Sequence, residues 1–562
     1  MKRTTFAVAG IGLVLLGVVL GQWVRDATSA RPGAEAFRTL EEAYEVIRES
    51  YVEPVPPGSL TTASIEAMLK PLDRYSVYIS PEQMTQVEES FRGSFEGIGI
   101  SYRLIDGPSD QDTIAVQSVV SGGPSAEAGL RAGDRIVKVN GTSAVGWSHE
   151  RIRTQLKGPK GSTVSVTLRR PARADRIEAQ ITRDTVPLET VEAAYMVEER
   201  TGYVKLGRFA RTTHRELTDA LKGLEDNGMD RLVLDLRGNP GGLMSMAEKV
   251  ADEFLVDGQL IVTARSRHEE FASVRHATGE GRFEQSPLIV LVDRHSASAS
   301  EIVAGALQDH DRALLVGERT FGKGLVQRQF GLRDGSGVRL TVARFYTPSG
   351  RLLQRSDRAT EDSLGLPDSL RSQPTAHVPD SLVYHTDAGR SVVGGGGIYP
   401  DEVVTPDLQN DYQRRAERQG LIRAFARQWV DARADSLRTR WTGRSEAFAE
   451  QFQLPSTVYP AFVRYAEEHG LRAPEGSTVL AGAQTSGGMK QTGQEAMSRV
   501  RLSEDVRDAR SKIEMLIKSY VGQRLFGPVM LIRVRNTKDP VLDEAMRSWS
   551  TAEDWAERYP IE

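Results

Sequence analysis

Three largely apolar runs of strand length punctuate the middle of the chain, and each ends in a turn. Residues 287–293 form the first run, after which residues 299–309 place Ile302, Val303, Ala306 and Leu307 at helical spacing. Residues 232–236 form the second. The turn formers Gly238, Asn239, Pro240, Gly241 and Gly242 follow it, and then Leu243, Met246, Ala247, Val250 and Phe254 lie on one helical stripe. Residues 313–316 form the third, followed by a glycine-bracketed segment and the alternating strand 338–342. Residues 201–206 and 343–346 also read as strands. Upstream, Phe37, Leu40, Tyr44, Ile47 and Tyr51 share a helical stripe, and a second helix is predicted over 61–69. Downstream, helices are predicted over 421–440 and 502–520, with a Gly/Ser/Thr/Gln-rich connector at 476–493.

The strand ends carry the candidate chemistry. Ser296, Ser298 and Ser300 fall at a strand-to-helix junction, where unpaired N–H groups and the helix dipole favour negative charge. The amide of Ala299 is then a natural donor to an oxyanion, and one such donor typically removes roughly 3–4 kcal/mol of barrier. Ser298 with Glu301 also spells a capping box, so the serine can equally be a helix cap. Lys323 lies in a turn between Gly322 and Gly324. To act as a base near neutral pH it must sit in a dry site, with Phe321, Leu325 and Val326 as candidate walls. Gln327 can orient a lysine or serine without restoring the lysine's charge. Residues 317–323 also satisfy the phosphate-loop pattern, from Gly317 to Lys323. Gly324 replaces the expected Ser or Thr, however, and a strand rather than a helix is predicted next.

Taken together, the S-A-S-A-S-E, T-F-G-K-G-x-V-Q and D-L-R-x-N-P-G-G segments resemble the carboxyl-terminal processing peptidases, the tail-specific serine proteases. The resemblance implies Ser298 as nucleophile, Lys323 as general base and Gln327 as the orienting residue. It also implies an oxyanion hole of Ala299 with Gly241 or Gly242. A second segment, about 93–170, is similar to a PDZ domain over its successive strands and turns. Gly97, Ile98, Gly99 and Ile100 are its candidate carboxylate loop, and Ile152 and Leu156 a candidate groove wall.

The expected fold is multidomain α/β: a mixed α/β Ser-Lys peptidase core with an inserted PDZ domain, N-terminal helices and a mostly helical C-terminal extension. The expected boundaries are 1–30 for a leader or anchor, 31–90 for the helices, 91–185 for the PDZ domain, 186–407 for the core and 408–562 for the extension. A polar insertion is expected at about 356–391, and a closing core strand at 397–401.

Composition narrows the alternatives. The net charge of −4 over 562 residues, with no long basic run, gives no footing for nucleic acid. There is no cysteine, so thiol catalysis is excluded, and the nine histidines form no metal-ligand spacing. No cofactor or metal is expected. Lys2 and Arg3 before the apolar run 6–20, with Thr28-Ser29-Ala30 beyond, predict an export signal or, counted through residues 6–24, an inner-membrane anchor; the compartment is then the periplasm or another extracytoplasmic space. The expected partners are protein carboxyl tails as substrates, with a homo-oligomer or an adaptor left open. Two other readings remain: a catalytically silent PDZ peptide-binding scaffold, and a nucleotide-binding protein.

Overall fold

Strands buried on both faces need a cover on both sides, and this requirement organises the central sheet. The computed structural model describes residues 34–106, 112–171, 173, 175–355, 379–405, 410–471 and 504–558. The predicted leader and the 476–493 connector lie outside them. The chain divides into two units: residues up to 84 with 327–341, and residues 85–326 with 342–562.

In the larger unit a six-stranded sheet runs in the order β1 (Val191–Glu198), β2 (Thr201–Leu206), β3 (Arg231–Asp235), β4 (Leu288–Val292), β5 (Leu314–Gly317) and β6 (Glu402–Val403). The β1–β2 pair is antiparallel and the remaining pairs are parallel. Side chains alternate along each strand. Val204, Leu232, Leu234, Leu288, Val290 and Leu315 pack against α1 (Thr213–Glu225), α2 (Met244–Asp252) and α3 (Ala299–Asp309). Tyr203, Val233, Ile289, Leu291, Leu314 and Val316 pack on the opposite face against Val541, Leu542, Ala545, Trp549 and Ala552.

The last two helices, Pro540–Arg547 and Trp549–Arg558, therefore belong with the six-stranded sheet rather than with a separate extension. Their 137-residue distance from β6 hides that role in the sequence, because only the tertiary packing shows which amphipathic helix covers which face. The closing strand lies at 402–403 instead of 397–401. Gly397 adopts φ +97° and Pro400 follows, neither suited to a ladder, and Asp401 accepts from the Leu315 N–H at 2.9 Å.

The polar insertion is described from residue 379 onward. Val383–His385 pairs with Ser391–Val393 as a hairpin, and Arg390 bonds Asp401 at 2.6 Å. Residues 356–378 lie outside the description.

The PDZ segment is entered by Ser94–Gly97 and left by Asp184–Pro187, which pair antiparallel. Between them, Ile100–Asp106 is an edge strand that, among the described residues, pairs only with Asp112–Val119 in its sheet. His149–Leu156 forms the domain's longer helix, with the Ser148 side chain capping the Arg151 N–H. The helix expected over 421–440 is two, Leu421–Asp431 and Ala434–Trp441. The break brings Leu437 and Trp441 into the apolar cluster that also holds Phe425 and Val430. Likewise 502–520 resolves into Glu504–Asp508 and Arg510–Phe526, with 502 and 503 outside the description.

The smaller unit holds the helices Ala34–Ser50 and Pro57–Leu69. The second starts earlier than expected, with Pro57 preset for the first helical turn. Val77–Ile79 pairs antiparallel with Gly337–Arg339. Among the described residues no helix is long and apolar enough to cross a membrane.

Candidate active site

Ser298 stands between β4 and α3 with φ 57° and ψ −111°, a conformation a non-glycine residue adopts only when its surroundings impose it. The neighbouring serines help impose it. Ser296 Oγ donates to the Leu236 carbonyl at 2.8 Å, and Ser300 Oγ donates to the Asn239 carbonyl at 2.9 Å; both residues are buried. Two of the three serines thus rivet the junction to the loop after β3.

Glu301 holds the two chain segments of the expected dyad. Its carboxylate accepts from the Ser298 N–H at 2.8 Å, the Lys323 N–H at 2.9 Å, the Gly322 N–H at 2.7 Å and the Thr320 hydroxyl at 2.7 Å. The residue is fully buried, and burial pushes its carboxyl above the usual carboxylate range although the four donors pull the other way. Capping and positioning are one function here. The carboxylate that closes the start of α3 also fixes the backbone bearing Lys323, so the capping-box reading and the catalytic reading do not compete. The sequence showed the cap spacing, but no local signal announces a partner 22 residues away.

Lys323 lies in an irregular segment that leads directly into the strand Leu325–Gly331, so Gly317–Lys323 opens no helix and lacks the phosphate-binding helix N-terminus of a P-loop. Further bonds pin that segment. Phe321 N–H donates to the Ser296 carbonyl at 3.0 Å, and Gly324 N–H donates to Gln354 Oε1 at 3.1 Å. Of the expected apolar walls, Leu325 is buried and Val326 packs on the core, but Phe321 is 38 % exposed. Gln327, in the smaller unit, donates its side-chain amide to the Tyr75 carbonyl at 2.7 Å.

The loop after β3 lies against the nucleophile. A Cβ on Gly241, which has φ +96°, would come within 2.9 Å of both Ser298 Cβ and the Ala299 nitrogen, so only glycine fits there. Asn239, fully buried, accepts from the Gly241 N–H at 2.9 Å and donates to the Leu206 carbonyl at 2.9 Å. The Gly241 carbonyl accepts from the Phe209 N–H at 3.0 Å. Behind the loop, Asp235 takes Arg237 in a fork at 3.0 and 2.7 Å and accepts from the Tyr203 hydroxyl at 2.6 Å. Burial alone would raise the Asp235 carboxyl, but the Arg237 and Lys205 cations outweigh it and hold it well below the carboxylate range. Arg237 also pairs with Asp539 at 2.7 Å, just before the helices that cover the far face of the sheet. The i, i+2 spacing of Asp235 and Arg237 was the available sign of this brace. A cleft of about 440 Å³ beside the loop is lined by Phe209, Pro240, Gly241, Gly242 and the carboxylates Glu189 and Glu192.

The PDZ groove, about 360 Å³, is lined by Ile98, Gly99, Ile100, Tyr102, His149 and Arg153, with Phe95, Leu156 and Lys157 beside them. Gly97 ends the strand before it. Ile152, expected on the groove wall, is fully buried in the domain core instead, because His149, Arg153 and Leu156 occupy the helix face toward the groove. Among the described residues no cluster of His, Asp and Glu could hold a metal ion.

Residues 200–362 match peptidase family S41 and residues 87–169 match the PDZ domain. The chain is similar to the carboxy-terminal processing protease CtpA of Bacillus subtilis, 36 % identical over 62 % of this chain and 72 % of that one. It is also similar to CtpB of the same species, 32 % identical over 66 % of this chain and 80 % of that one. A carboxy-terminal-processing protease of Bartonella bacilliformis is 34 % identical over 63 % of this chain and 80 % of that one.

Proposed function

The chain belongs to peptidase family S41 and is a serine-type peptidase with a PDZ domain, and we propose that it is an exported endopeptidase that docks protein carboxyl tails in the PDZ groove and cleaves them by a Ser-Lys mechanism. The observation that carries this reading is the single buried carboxylate of Glu301 binding the backbone of both Ser298 and Lys323. In the proposed cycle, Lys323 as a neutral amine takes the Ser298 proton as Ser298 Oγ attacks the scissile carbonyl; the C–N bond then breaks as the lysine passes that proton to the departing amine, and water, deprotonated by Lys323, cleaves the acyl ester to release the carboxyl product while the proton returns to Ser298.

The oxyanion then rests on the amides of Ala299 and Gly242. Gly241's own N–H is engaged by Asn239. Across the planar 241–242 peptide, a carbonyl turned toward Phe209 aims the Gly242 N–H the opposite way. The free edge of Ile100–Asp106 accepts the tail as an added strand, the Gly97–Ile100 turn receives its carboxylate, and Arg153 adds positive charge to the groove.

Export rests on the basic-then-apolar N-terminal pattern. The stripe of Phe37, Ile47 and Tyr51, 67 %, 44 % and 60 % exposed, supports a homo-oligomer through the N-terminal helices.

Labelling with a serine-reactive phosphonate tests the mechanism. Wild type, Ser296→Ala and Ser300→Ala should label and cleave, whereas Ser298→Ala and Lys323→Ala should do neither while remaining folded. Labelling of Ser298→Ala would disprove the assignment, and an unlabelled wild type would leave the peptide-binding scaffold. The rate should fall on the acid side as the lysine protonates, and a flat profile down to about pH 4 would exclude that base.

A further inference from the structure

Five guanidinium groups converge on one cavity remote in sequence from the catalytic segments. The cavity, about 220 Å³, lies between the PDZ sheet and the C-terminal helices. Arg103 and Arg135 come from the sheet, Arg423 and Arg427 from Leu421–Asp431, and Arg524 from Arg510–Phe526. Among the described residues one carboxylate, Asp431, lines the cavity with them. It accepts from Arg524 Nη2 at 3.2 Å and lies 3.9 Å from Arg135 Nη2. Arg423, Arg427 and Asp431 recur every four residues, so one helix face delivers all three.

The charges are not matched from within. Arg427 Nε and Arg524 Nε and Nη1 are buried and meet no acceptor among the described residues. Burial lowers the pKa of both arginines, and the neighbouring Arg135 lowers that of Arg427 further. The turn of the PDZ domain is shaped for the approach: a Cβ on Gly133, φ +90°, would fall 1.5 Å from Arg524 Nη2. Buried charged donors without acceptors cost the protein free energy that an anion can offset.

We propose that this cavity binds a small phosphoryl-bearing anion through Arg135, Arg427 and Arg524, joining the PDZ domain to the C-terminal helices. Guanidinium forks match phosphoryl oxygens bidentately, and a lining with four positive charges in excess calls for more than one negative charge, which a chloride cannot bring. Leu104, Ile105 and Val430 in the wall leave room for a small apolar body on the ligand.

Thermal unfolding of the full chain with inorganic pyrophosphate, against sodium chloride at matched ionic strength, tests the site. Pyrophosphate should raise the Tm saturably, by about 3 °C or more near a hundred times its Kd. Arg427→Gln with Arg524→Gln should erase the difference from chloride. Should that pair fail to fold, Arg103→Gln with Arg423→Gln, both exposed in wild type, should weaken binding at least about tenfold with the ligand-free Tm unchanged. Vesicles of phosphatidylglycerol are offered in parallel. Binding that pyrophosphate competes away assigns a lipid headgroup, and a pyrophosphate shift without vesicle binding assigns a soluble anion. A pyrophosphate response no larger than that of chloride, or one that persists in the variants, overturns the proposal.

Discussion

The Glu301 site and the arginine cavity both bury charge, and they treat it in opposite ways. At Glu301 one carboxylate meets four donors drawn from two chain segments, so its burial fixes geometry. In the cavity, among the described residues, five cations line the wall with one carboxylate, and three of their nitrogens find no acceptor. A buried charge with all its partners supplied by the fold acts as scaffolding, whereas a surplus of one sign marks a place where the partner comes from outside.

Breaking the first site should have the larger effect. Glu301→Ala orphans three backbone N–H groups and a hydroxyl, and chemical denaturation should show a loss of about 3–5 kcal/mol. Glu301→Gln keeps the shape but turns one acceptor oxygen into a donor. It should leave a folded protein whose kcat falls by about a hundredfold with KM little changed, since only the relation of Ser298 to Lys323 is disturbed. A Glu301→Gln enzyme with full activity would reduce the carboxylate to a helix cap.

Titration sharpens the contrast within the core. The Glu301 carboxyl is raised in the folded protein, so its contribution to stability is present below the ordinary value of 4.5 and declines as pH rises through its folded value. Asp235 is lowered, so its contribution is present above 3.8 and is lost as pH falls. Urea unfolding between pH 3 and 7 should therefore show Asp235→Asn flattening the acid-side loss, and Glu301→Gln flattening the decline above about pH 4.5. Matching slopes in the two variants would contradict the opposed directions.

The cavity should respond with the opposite sign. In low-salt buffer without polyvalent anions, Arg427→Met removes an unmatched buried charge and should leave stability unchanged or raise it by about 1 kcal/mol. A loss of 3 kcal/mol would show that the guanidinium is structural. Ser300→Ala should cost about 1 kcal/mol, the ordinary worth of one buried hydrogen bond, and Ser296→Ala about 2 kcal/mol, since Ser296 Oγ also accepts from the Asp293 N–H at 3.0 Å; both should leave cleavage largely intact.

Much of the site was legible because its parts are local. A strand-to-helix serine, a glycine-bracketed lysine and an N-P-G-G turn each announce themselves within eight residues, and the PDZ strands recur in order. The groove wall was misread at Ile152 because period alone does not tell which side of a short helix meets its own core and which meets the groove. Phe321 was misread as a wall because an aromatic residue in a loop can face either way.

Strand and helix types, the loop chemistry and the family could be read along the chain, since these depend on neighbours a few residues apart. That Glu301 joins two segments, that residues 540–558 close the peptidase core, and that five arginines from four elements face one cavity emerged with the packed fold. Those outcomes follow from which surfaces are buried together, and burial is a property of the folded whole that no stretch of chain carries alone.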